Sequence, residues 1–168
     1  MKRFVAAALA AWALSLPLSA KAQDDGALVT LQVMKVEVAL ELAQAALEHC
    51  REEGYQVAVA VVDRFGVPQV LLRDRFAGPH TPDTATRKAW TSVSFRAPTT
   101  ELSENTKPEG EAFGARDITN ALMLGGGVPV DAAGSLVGAV GVSGAPGGAE
   151  DEACAQAGID AVADQLAF

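Results

Sequence analysis

The sequence is poor in the side chains that most often do chemistry: its 168 residues include two histidines, two cysteines and one tyrosine. A structural zinc site needs three or four His, Cys or acidic ligands at workable spacing, and His49, Cys50, His80 and Cys154 offer no such arrangement. Basic clusters are missing too. The formal charge is -8, and no run of Lys and Arg follows the first three residues, which argues against a phosphate-tracking surface and a nucleic-acid partner. Long apolar runs are limited to one, Phe4 to Leu18 in MKRFVAAALAAWALSLPLSAKA. Lys2 and Arg3 precede it and Ala20-Lys21-Ala22 follows, so it reads as a secretory signal with an A-x-A cleavage site, too short for an anchor. We therefore expect residues 1–22 to be a signal peptide and residues 23–168 to form a single domain. The mature protein is expected in the periplasm or secreted, with no membrane insertion. Without Lys2, Arg3 and Lys21 its formal charge falls to -11.

What remains is rich in periodic structure. Residues 31–53 are good helix formers ending at Gly54, and Val36, Ala39, Leu40, Ala43, Ala46, Leu47 and Cys50 make one apolar stripe. QVAVAVVD, apolar on both faces and rich in valine, reads as a central strand. Asp63-Arg64-Phe65-Gly66 is a turn leading into a second strand, VPQVLL. Thr81, Pro82 and Asp83 predict a helix start, with Thr81 as its capping hydroxyl, running toward Phe95 and stopped by Pro98. Residues 99–117 read as a short helical turn and loop, and Asp117 to Leu124 as a short helix. The strand, D-x-x-G, strand layout then returns around Asp131 to Gly134. A last helix begins near Ala149, with Ala155, Gly158, Ile159, Val162 and Leu166 on its core side.

The order predicts an α+β fold: a largely antiparallel sheet of two hairpins with flanking helices, the first and last helices packed together. If those two helices run antiparallel, Cys50 and Cys154 come level. A disulfide there would close a loop of roughly 100 residues, worth up to about 4.7 kcal/mol in the chain-entropy model. The alternative is two buried free thiols.

Several chemistries fail on the residues. GVSGA at 141–145 is similar to a nucleophile elbow, but Ala145 stands where glycine is needed and no histidine follows Ser143. GVSGAPGG lacks the dinucleotide spacing, and Glu150, Asp151 and Glu152 in the following helix's first turn would repel phosphate. A haem site asks for less, one axial ligand and an apolar pocket. The candidates are His49, His80, Met34, Met123, Cys50 and Cys154, with Tyr55 and Lys88 more remote. His49 lies beside the core stripe; His80 stands in a loop at a helix entrance.

VAVVDRFGVPQVLLRD, AGPHTPDTATRKAWTSVSF, GGGVPV and GSLVGAVGVSGAPGGAEDEACAQAGI together resemble the HbpS-like haem-binding family, which includes GlcG and the C-terminal domain of PduO. The likeness runs from about Leu31 to Leu166 and points to the secreted branch. It implies an antiparallel sheet flanked by helices, homo-oligomers and, in some members, haem as cofactor. For the iron ligand it leaves His80 first and His49 second. Lys88 and Arg87 pair with a propionate or are solvated charges, and the run including Gly126 and Gly127 lets backbone approach a ligand or merely turns into the second hairpin. The functional expectation is an exported haem-binding protein, serving as carrier, buffer or sensor input rather than as an enzyme. The alternatives are an oligomeric accessory or small-molecule-binding module of a redox system, and a haem-degrading enzyme.

Overall fold

The side chains of the central strand alternate in size, Ala58, Val59, Ala60, Val61, and that alternation organises the whole molecule. The computed structural model describes residues 26–167; the expected signal segment and its cleavage site lie outside the described residues. Helix α1 spans Val36–Glu52, followed by strands β1 (Ala58–Asp63) and β2 (Pro68–Arg73) and helices α2 (Thr81–Phe95) and α3 (Thr99–Asn105). A 3-10 turn at Phe113–Asp117 leads to β3 (Gly127–Ala132), β4 (Ser135–Ser143), α4 (Gly148–Ala161) and the short α5 (Ala163–Leu166). The sheet order is β2-β1-β4-β3 with every neighbour antiparallel, so two hairpins join through β1 and β4. None of the described helices is long and apolar enough to cross a membrane.

Because strand side chains alternate between faces, Val59, Val61, Val140 and Val142 meet α1 and α4, while Ala58, Ala60, Val62 and Ala139 meet α2. Helix α1 covers β1 and β2, and α4 covers β3 and β4. On the other side α2 lies almost on the strand backbone. A Cβ at Gly141 would stand 2.1 Å from the Ala85 carbonyl oxygen, and one at Gly127 would stand 2.4 Å from that of Lys88. Only glycine permits that approach.

Helices α1 and α4 pack antiparallel, tied at one end by a Cys50–Cys154 disulfide with Cα atoms 5.5 Å apart. Toward the other end Gln165 donates to Glu41 at 2.8 Å. The disulfide is the arrangement the helix order suggested, and it settles the choice against free thiols. Between these ties Gly158 lets the helices touch: a Cβ there would lie 2.6 Å from the Leu42 carbonyl oxygen.

Four local expectations change. Helix α1 begins at Val36 rather than at residue 31, and Leu42 takes the core position expected of Leu40, which is 39 % exposed. The reason is the second partner: packing between the sheet and α4 turns the buried face toward Leu42. Thr81 does not cap α2; it is buried and donates its hydroxyl to the Gly78 carbonyl at 2.8 Å, leaving His80 at the cap position. No helix forms over 117–124. Those backbone groups are met by α2 side chains instead, with Leu122 N–H donating to Thr91 Oγ1 at 2.8 Å and Arg87 donating to the Ala121 carbonyl at 3.0 Å. Finally, the two D-x-x-G segments turn differently. Asp63 Oδ1 accepts from the Phe65 and Val67 amides at 2.8 and 3.0 Å. Ala133 and Gly134 both take positive φ, 48° and 76°, as a two-residue type I′ hairpin requires.

Candidate functional site

Where the α2 entrance, the end of β4 and the α4 entrance converge, they leave a cleft of about 360 Å³. His80, Thr84 and Lys88 line it from α2, Ser143 from β4, and Gly144 to Gly148 and Asp151 from the connection and α4. Leu124, Ala145 and Pro146 add apolar surface. The cleft opens here because glycine and alanine, which admit α2 to the sheet, are too small to fill the layer's end. A larger hollow of about 660 Å³ beside α5 is lined by aliphatic side chains and Asp131 and holds little to orient a ligand.

At the base of the cleft is an ion pair. Lys88 Nζ donates to Asp151 Oδ2 at 2.7 Å and to the Val142 carbonyl at 2.9 Å, and the two side chains are 1 % and 5 % exposed. Asp151 Oδ1 also accepts the Ala145 amide at 3.0 Å. Burial raises the Asp151 carboxyl above its ordinary value, and the Lys88 charge and the Ala145 amide only partly offset this. The pair joins α2 on one side of the sheet to α4 on the other, so Lys88 is a buried cross-tie rather than a solvated charge. Helical spacing carried that information: Thr81, Ala85, Lys88 and Ser92 are i, i+4, i+7 and i+11, and all are buried.

His80 is exposed at the cleft's mouth, and its imidazole makes no hydrogen bond to any described residue. Its ring leans over Gly78, where a Cβ would lie 2.7 Å from the imidazole Cε1. Gly126, at φ +114°, packs against Lys88 and Asp151, and Gly127 packs against the Lys88 backbone, beneath the cleft. Arg87 stands outside it, near Asp83 and the 120–121 carbonyls. His49 is half-buried on α1, across the sheet from α2, so the two histidines do not meet. Sequence reasoning passed over Ser143 and Asp151. No histidine follows Ser143 in the sequence, yet folding brings His80 to the same cleft from upstream.

This arrangement of sheet, cleft and histidine has relatives. Residues 34–160 match the family described as haem-degrading, HbpS-like proteins. The chain belongs to this family. A double mutant of HbpS of Streptomyces reticuli is 41% identical and superposes with a TM-score of 0.76, the match covering 87% of this chain and 96% of that one. A structure described as a PduOC:heme complex is 28% identical with a TM-score of 0.71, covering 77% of this chain and 95% of that one. Among curated sequences, the corrinoid adenosyltransferase PduO of Salmonella typhimurium is 32% identical over 106 residues, 62% of this chain. This HbpS-like chain spans only 32% of PduO's length.

Proposed function

We propose that this protein is an exported haem-binding protein, acting as a carrier, buffer or sensor input, with His80 as the iron ligand. The observation that carries the reading is an unpartnered imidazole at the mouth of a part-apolar cleft, in a family with a haem-bound member. A neutral imidazole with a free nitrogen is a common axial ligand, and Leu124, Ala145 and Pro146 offer apolar contact beside it. At about 360 Å³ the cleft is near the small end of ligand pockets and takes one edge of a macrocycle. Export is supported by the pattern of residues 1–22 and by a disulfide, which persists in oxidising compartments. Self-assembly fits the same reading, since Phe65, Val67, Leu71 and Phe76 are exposed on and beside the edge strand β2.

Hemin titration followed at the Soret band tests this. Wild type and His49→Ala bind saturably and alike, while His80→Ala weakens binding by at least the roughly tenfold that loss of even an outer-shell partner of a metal ligand costs. Equal binding by all three sinks the His80 assignment, and no saturable binding sinks the function.

The family's description favours a second reading, breakdown of haem. It requires the Soret band of the bound complex to decay under peroxide faster than that of free hemin, with a defined tetrapyrrole product.

A further inference from the structure

Ser143 ends β4 with its side chain on the α2 face, two residues beyond Gly141 on the same side of the pleat. It is 4 % exposed, it lines the cleft, and its hydroxyl has no partner among the described residues. Lys88 repeats the pattern. An ammonium carries three donors; two reach Val142 and Asp151, and the third has no partner among the described residues, in a side chain that also lines the cleft. The third set of donors is backbone. Helix α4 starts at Gly148, and its N-cap Gly147 offers no side-chain cap, so its first amides, from Gly148 on, lack intrahelical acceptors and concentrate the positive end of the helix dipole. Gly147 and Gly148 reach the cleft with no side chains of their own.

The acids of that first turn argue against an anion in sequence, but folding disposes of two of them. Asp151 is neutralised by Lys88, and Glu152 hydrogen-bonds to Thr100 beside a separate hollow. Glu150 alone keeps a free carboxylate near the entrance, with Oε2 2.7 Å from where a Gly147 Cβ would stand.

From these unsatisfied donors we propose that the cleft holds a carboxylate group, gripped by the Ser143 hydroxyl, Lys88 and the α4 amides. The group comes from a small organic acid or from a propionate arm of a haem held by His80. A monoanion fits better than a phosphate dianion, because Lys88, the one buried cation among the described residues, is already matched by Asp151 and Glu150 adds negative charge. Lys88 Nζ is already held by Asp151 and the Val142 carbonyl, and Ser143 adds a neutral donor beside it.

The test is amide NMR of the mature protein titrated with acetate, and Soret titration with hemin and with hemin dimethyl ester. Acetate should move the Gly148 and Ala149 amides saturably. Ser143→Ala should weaken that binding about tenfold, as loss of a hydrogen bond to a charged group does. The surface change Glu150→Gln, which leaves the core intact, should strengthen it. If hemin binds more tightly than its ester, and Ser143→Ala removes the difference, the carboxylate is a propionate. If acetate binds while hemin and ester behave alike, the occupant is a free acid. Amides unmoved by acetate together with no hemin-ester difference overturn the proposal, as does inorganic phosphate binding more tightly than acetate. Unchanged acetate affinity in both variants overturns it as well. The propionate arm rests on the haem reading; the acetate arm stands without it, so the two can fail separately.

Discussion

Val59, Val61, Val140 and Val142 point to one face of the sheet, Ala58, Ala60, Ala139 and Gly141 to the other, and the two faces are held by different means. On the valine face, branched side chains fill the space beneath two helices that a disulfide joins. On the small-residue face a helix rests directly on backbone, and the largest buried side chain is a lysine. Beneath its two helices the valine face is filled, and the hollow on that side lies out at the margin beside α5. A face that draws a helix close with glycine cannot fill its own end, and the cleft is what remains.

The largest break in this comparison comes from Lys88→Met, which strands the Asp151 carboxylate in a buried site. Urea unfolding should show a loss of about 4 kcal/mol, the usual cost of removing one partner of a buried pair. Opening the Cys50–Cys154 bridge on the opposite face, by reduction or by the double Ala variant, should cost about 3 kcal/mol and leave the cleft's chemistry in place. Reduced protein that unfolds at the same denaturant concentration would mean the valine packing alone holds that face. The smallest effect sharpens the contrast: Gly141→Ala should cost about 2 kcal/mol through overpacking against Ala85, measured by thermal unfolding. A neutral result would show that α2 does not need to lie so close.

The architecture was readable because helix and strand periods repeat over many residues. The stripe keeps Ala39, Ala43, Ala46, Leu47 and Cys50 and loses Val36 and Leu40, which are exposed, while both hairpins and the pairing of the cysteines stand as expected. What was not readable depends on partners distant in sequence. Leu42 displaces Leu40 because α4, more than a hundred residues on, lies against it. Thr81 and the 117–124 segment depart from local propensity because tertiary contacts satisfy their backbone groups in other ways. The cleft follows the same division. His80 stood out as a polar residue at a helix entrance, whereas Ser143 and Asp151 acquire meaning only when β4 and α4 close on α2. Lys88 lay between, since its spacing announced burial but not its partner.

Gly78 adds a thermodynamic consequence to the cleft's geometry. With no Cβ beneath it, the His80 ring settles against the loop backbone in a place that a larger residue would deny it. Part of the rotamer freedom a histidine gives up on meeting a ligand is then surrendered when the loop folds, not when the ligand arrives. In the role proposed for His80, part of the affinity is therefore stored in the backbone of a neighbouring glycine, two residues before the group that would make the contact.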